Sequence, residues 1–255
     1  MSSVSLKKSL LYERYFHWRA GEITRLEAFS DADLAFAVTL LVVSLEVPKT
    51  FDELALVMKG FVAFAICFAA LALVWKEHTV FFRRYGLQTP FVVFLNCVLL
   101  FLILFYVYPL KFLFSFLVGE ITHGKLASTH GEQPALLQSQ VPSLMTMYGL
   151  GLAAVYLVFV LLYVYAYRRR DALELNEVEI YMTKHSIVDH GFIMSIGLLS
   201  TILAFILPVR ISGLSGMIYW FIPIYFSING SIMGSRTRSL GESLERRAAV
   251  DTATD

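Results

Sequence analysis

Charge is scarce in this 255-residue chain: 16% of its residues are Asp, Glu, Lys or Arg, against 57% hydrophobic. A water-soluble domain needs far more polar surface, so the composition points to a helical membrane protein. Cysteine is nearly absent. The two present, Cys67 and Cys97, both lie inside apolar runs and read as small buried hydrophobes rather than a disulfide or metal pair. The chain also lacks a Gly-rich phosphate loop, a Cys-x-x-Cys, a His-Glu-x-x-His and any basic-aromatic surface. Those absences argue against a cofactor, a metal centre and a nucleic-acid partner. The opening residues do not read as a signal peptide, because Arg14, Arg19 and Arg25 interrupt their short apolar patches. They read as an amphipathic segment on the membrane surface, with Tyr12, Tyr15, Phe16 and Trp18 as interface anchors.

What is abundant is continuous apolar sequence. Six runs approach or exceed the length needed to cross about 30 Å of hydrocarbon as helix: residues 31–47, 54–75, 90–117, 142–167, 191–208 and 211–233. Continuity rather than alternation excludes membrane strands. The third run is longer than a bilayer requires and is expected to tilt or kink at Pro109. The fifth and sixth are parted by little more than Arg210 and read as a tight hairpin. With the N-terminus inside, 16 of the 21 Lys and Arg residues fall on the cytoplasmic side. Both termini are therefore expected to be cytoplasmic. The expected organisation is a cytoplasmic or interfacial segment over 1–30, a six-helix membrane domain over 31–233 and a flexible cytoplasmic tail over 234–255. Residues 121–141 read as an external loop. Residues 168–189 read as an extension of the fourth span or an interfacial helix.

Carboxylates at the edge of a membrane run are costly, yet Asp31 and Asp33 stand at the mouth of the first one. Ser30 or Asp31 could simply cap that helix, a role worth about 1 kcal/mol. A cap alone leaves Arg25 and Asp33 unexplained. Two residues apart on a helix, the two acids point to opposite sides.

Arg25-x-x-x-Phe29-Ser30-Asp31, followed by Ala35-Phe36-Ala37-Val38-Thr39-Leu40-Leu41, resembles the signature of the transmembrane protein 175 family of prokaryotic and lysosomal potassium channels. Trp75 and His78 at the end of the second run, Asn96 in the third and Pro109 further along fit the same resemblance. It implies an all-α homotetramer in the inner membrane, conducting potassium without a cofactor, with the first helix lining a central pore. The pore has no filter loop, and no Thr-Val-Gly-Tyr-Gly occurs here. Matched onto the motif, the constriction falls on Phe36, Thr39 and Val43, which share one helical stripe. The resemblance also implies that Arg25, Phe29, Ser30, Asp31, Trp75 and His78 belong to a polar cluster that fixes the pore helix. Asp33 would stand at the cytoplasmic pore mouth, where four copies would concentrate cations. Two positions depart from the family: Asp33 replaces a usual apolar residue, and Phe36 replaces isoleucine or leucine. Four phenyl rings would make a narrow hydrophobic gate.

Two other function classes stand beside this one. A proton- or cation-coupled carrier would use Asp31 or Asp33, although the repeats and broken helices of carriers are missing. A membrane enzyme would draw on His78, His185, Asp189 and His190, which lack ligand spacing and a nucleophile and read more simply as interface hydrogen-bonding groups. Lys111 reads as snorkelling to the outer surface, Asn96 as an interhelical packing bond, Arg168–Arg170 as a lipid-contacting inside cluster, and Glu174, Glu177 and Glu179 as a solvated face.

Overall fold

The computed structural model describes residues 15–43, 48–122 and 136–254. Among them every regular element is helical. Helix α1 spans Arg25–Val43 and opens six residues before the expected start of the first run. The cap is neither Ser30 nor Asp31. Thr24 Oγ1 accepts from Glu27 N at 3.2 Å, and Glu27 Oε2 accepts from Thr24 N at 2.9 Å. This reciprocal pair satisfies two orphan amides at once, which frees Ser30 and Asp31 for other contacts.

The second apolar run is broken at Gly60 into α2 (Phe51–Lys59) and α3 (Phe61–Tyr85). Helix α3 reaches ten residues beyond Trp75 and ends at Gly86, whose φ of 59° is left-handed. Helix α4 (Pro90–Ile121) carries Pro109 in its interior. Helix α5 covers Val141–Arg168 and α6 covers Glu177–Ile206. A 3-10 stretch, Val209–Trp220, leads into α7 (Phe221–Thr254). Residues 169–176 form only a tight connection, so the segment expected to be an extension or an interfacial helix is instead a turn plus the opening of α6. Asn176 starts α6 with another capping box: Asn176 Oδ1 accepts from Glu179 N at 2.9 Å and Glu179 Oε2 accepts from Asn176 N at 3.0 Å. Helix α7 continues where a flexible tail was expected.

Among the described residues five stretches are long and apolar enough to cross a membrane: α3, α4, residues 138–168, α6 and residues 209–243. Helix α1 is not among them, because its 19 residues include Arg25, Glu27, Asp31 and Asp33. His123, His130 and Pro134 of the expected external loop, and Tyr12 of the expected interfacial segment, lie outside the described residues. Cys67 is buried, Cys97 is exposed, and both are free thiols.

Helices α5 and α6 meet most closely, and small residues make this possible. A Cβ on Gly197 would stand 2.6 Å from the Gly149 carbonyl oxygen and 3.0 Å from Ala153 N. A Cβ on Gly149 would stand 2.6 Å from the Gly197 carbonyl oxygen. In lipid no hydrophobic drive separates helix–helix from helix–lipid contact, so close backbone packing of this kind carries the association. Gly197→Val should therefore push the pair apart, at a cost of about 3 kcal/mol or more. The expected outcome is a large fall in thermal stability in detergent, whereas Gly191→Ala, with nothing within 4 Å of its Cβ position, should leave the melting temperature nearly unchanged.

Candidate functional site

Helix α1 has two unlike faces. Ser30, Leu34, Ala37 and Leu41 are buried against the rest of the chain. Arg25, Phe29, Phe36, Thr39 and Val42 are exposed, with Phe36 at 54%. The steps of three, four and seven residues within the two sets are those of one helical face. Val43 closes the helix, but its side chain lies outside the described residues.

The buried face is held by a run of hydrogen bonds. His78 Nε2 donates to Asn96 Oδ1 at 2.8 Å. Asn96 Nδ2 donates to Ser30 Oγ at 2.9 Å, and Ser30 Oγ donates to the Leu26 carbonyl at 2.8 Å. The three side chains come from α3, α4 and α1 and are all buried, Ser30 and Asn96 completely. Where water is excluded, such a series is strengthened by mutual polarisation, and a missing member is expensive. A second bond lies at the surface of the same end: Trp75 Nε1 donates to Asp31 Oδ1 at 2.8 Å.

The structure therefore brings Ser30, His78 and Asn96 together and pairs Asp31 with Trp75. It does not bring Arg25 or Phe29 into that set. Both are exposed, and Arg25 has no acidic partner within 4 Å among the described residues. Asp33 is half-buried, and its Oδ2 is buried with no hydrogen-bond partner among the described residues. Thr39 Oγ1 donates to the Ala35 carbonyl at 3.0 Å. Lys111 does not simply snorkel: its Nζ donates to the Leu41 carbonyl at 3.1 Å, tying α4 to the far end of α1. Nearby, the Tyr148 hydroxyl donates to the Pro109 carbonyl.

A larger polar centre lies where the chain enters the bundle, and sequence reasoning missed it. Residues 16–20 run as a non-helical strap beneath α3 and α6. Arg19 Nη2 lies 2.7 Å from Glu179 Oε2, and Nη1 lies 3.2 Å from Oε1, a forked ion pair with a carboxylate only 1% exposed. Arg19 also donates to the carbonyls of Leu173, His17 and Glu174 at 2.6, 3.0 and 3.1 Å. His17 N donates to Glu179 Oε1 at 2.7 Å. Glu179 is thus no part of a solvated face, although Glu174 and Glu177 are exposed. The strap is pinned to α3 by bonds from Arg19 N and Ala20 N to the Arg83 carbonyl at 3.2 and 3.3 Å. Phe16 is buried edge-on against Tyr85 at 5.6 Å. It is a core residue rather than a membrane anchor. The one sequence signal was the capping-box spacing of Asn176 and Glu179, which marks the start of a helix but not a partner 160 residues away.

The histidines near this end are structural. His185 Nδ1 donates to Asp189 Oδ2 at 2.9 Å, and Asp189 Oδ1 accepts from Tyr225 and Asn229 of α7 at 2.9 and 2.8 Å. His190 Nδ1 donates to the Ser186 carbonyl at 2.6 Å and stacks on Tyr163 at 5.0 Å. Among the described residues no group of three or more potential ligands is placed to hold a metal ion.

The series at Ser30 yields a direct test. Asn96→Leu strands His78 and Ser30 at once and should lower stability by about 3 kcal/mol. Trp75→Phe removes one bond to an exposed carboxylate and should cost about 1 kcal/mol. Thermal unfolding of the detergent-solubilised variants would show the two losses in that order.

Comparison with known proteins places this geometry. Residues 25–106, which hold α1, α3, His78 and Asn96, match the family model described as the endosomal/lysosomal potassium channel TMEM175. A protein named as a potassium channel from Marivirga tractuosa is 41% identical over 235 residues, 88% of this chain and 93% of its own length. A potassium channel of Chamaesiphon minutus is 31% identical over 106 residues, 38% of this chain and 52% of its own length. The crystal structure of a variant of the potassium channel MtTMEM175, bound to a nanobody–MBP fusion, superimposes with a TM-score of 0.75 at 39% identity. It covers 86% of this chain and 97% of that one. The structure of a lysosomal potassium-selective channel TMEM175 homologue from Chamaesiphon minutus has a TM-score of 0.52 at 24% identity, over 80% of this chain and 96% of its own, a likeness of fold. With the motif, the buried series that positions α1 and near full-length similarity to a relative at 41% identity all in agreement, the chain belongs to the TMEM175 family.

Proposed function

We propose that this membrane protein is a potassium channel that assembles as a homotetramer in the cell membrane, with both termini cytoplasmic and α1 lining a central pore. The observation that carries the reading is the division of α1. One face is fixed to its own chain by Ser30, Asn96 and His78, while the other leaves Phe36 and Thr39 exposed among the described residues. The names of the relatives support the ion. They equally disfavour a carrier built on Asp31 and Asp33 and an enzyme built on the histidines.

The stripe then has two kinds of chemistry. Phe36 has no oxygen to replace lost hydration, so a ring of four copies is a hydrophobic gate. Thr39 spends its proton on the Ala35 carbonyl, so its hydroxyl offers only lone pairs outward, which suits a cation and repels none. Val43 would narrow the same path further along. Asp33, at the inner end, would add negative potential near the mouth. Arg25, Phe29, Ser30, Asp31, Trp75 and His78 would act as the frame that holds α1 in register.

Purified protein in liposomes should pass potassium faster than sodium down an ionophore-set gradient. Phe36→Ala should raise total cation leak about tenfold or more and reduce the preference for potassium. Unchanged flux from folded Phe36→Ala protein would remove Phe36 from the gate. Saturable, pH-driven uptake by the parent protein would instead restore the carrier.

A further inference from the structure

A cavity of about 180 Å³ lies beside the frame of α1, lined by Trp18, Trp75, Lys76, Thr79, Val80, Arg83 and Arg84. Its wall is one face of α3, read at steps of one, three and four residues, and Trp18 of the strap closes it. Three of its side chains are cationic and none is acidic. The Arg83 guanidinium sits 5.2 Å from the Trp18 ring and that of Arg84 sits 5.0 Å from the Phe16 ring. Neither has a carboxylate within 4 Å among the described residues. Arg84 is only 8% exposed. A cationic residue so largely buried, with no carboxylate beside it among the described residues, has its charge incompletely balanced, and ring contacts recover only part of what water gives it. The Glu77 carboxylate, next to Lys76 in sequence, faces Lys76 at 3.6 Å and His190 at 3.7 Å instead.

We propose that this cavity is a binding site for a phosphate-bearing anion, gripped by Arg83 and Arg84, with Lys76 at its rim and the two indole rings as its sides. Planar guanidinium forks match phosphate oxygens in pairs. The volume is below that of a drug-sized pocket and suits a single headgroup or small polyphosphate. The expected position at the cytoplasmic end of α3 puts it within reach of two sources of the same chemistry: an anionic lipid headgroup or a soluble phosphate compound. Trp75 forms the cavity wall and bonds Asp31 of α1, so an occupant would press on the helix that carries Phe36. Binding itself is independent of the channel reading; only an effect on flux rests on it.

The test uses tryptophan emission. Two of the three tryptophans line the cavity, and the third, Trp220, is 72% exposed, so Trp220→Phe protein reports on the site. In nanodiscs of phosphatidylcholine it is titrated with pyrophosphate. In a second arm the phosphatidylcholine is progressively replaced by phosphatidylglycerol. A saturable change in either arm, weakened about tenfold by Arg84→Gln and untouched by Lys184→Gln at an exposed cation outside the cavity, supports the site. The responding arm names the source. Should Arg84→Gln fail to fold, Lys76→Gln, whose side chain is 64% exposed, should still weaken the response several-fold. No saturable change in either arm, or equal loss in the Lys184 and cavity variants, overturns the proposal. Liposome flux measured alongside keeps a failure of binding separate from a failure of the channel reading.

Discussion

The placement of α1 depends on one amide. Asn96 stands in the most apolar helix of the chain, where a polar side chain without a partner would cost several kcal/mol. Its oxygen and nitrogen are both engaged, one by His78 of α3 and the other by Ser30 of α1. Sliding α1 by one residue would break the bond from Asn96 to Ser30 and leave the buried amide nitrogen without a partner. Apolar packing of Leu34, Ala37 and Leu41 would tolerate the slip far better, because it has no direction. The hydrogen bonds therefore set the register, and the packing supplies the bulk of the contact.

The second anchor is the strap. Arg19 and Glu179 are both drawn into a site that excludes most water, an arrangement that stabilises only when every donor and acceptor is met. That condition holds. The carboxylate receives Arg19, the His17 amide and the Asn176 amide, while the guanidinium adds three carbonyls. The strap thereby joins the start of α6 to the end of α3, where a Cβ on Gly86 would stand only 3.2 Å from the Arg19 backbone. It leads directly into Thr24 and the cap of α1. The two ends of the frame are mechanically one object: the strap fixes where α1 begins, and Asn96 fixes how it is turned.

The helical class and the main apolar runs were legible from residue type and spacing; Ser30, Asp31, Trp75 and His78 were marked only by the family resemblance, and they fall into two bonded sets rather than one cluster. Boundaries were less so. Apolar content marks what lipid tolerates and not where a helix is capped, so α1 starts at Arg25 on a Thr24–Glu27 box and α6 starts at Glu177 in a segment read as extramembrane. Arg25 carried the motif but stands apart from the bonded group. Glu179 looked like an exposed acid because its partner is far away in sequence. Long-range ion pairs leave no local periodicity to read.

In the proposed channel the exposed side of α1 is completed by other copies of the chain. Phe36 and Val42 present apolar surface beside the hydroxyl of Thr39, on the same helix that carries four charges in its first nine residues. Lipid alone would favour an uninterrupted apolar face and would gain nothing from an outward oxygen. Water alone would disfavour Phe36. A surface half suited to each is best placed between copies, where flanking residues pack against a neighbour and the central stripe meets a narrow, partly hydrated axis. That requirement explains why the opposite face is tied so firmly by directional bonds. In the proposed tetramer a helix that meets its own copies around an axis would tolerate little rotation, and Asn96 is the residue placed to prevent it.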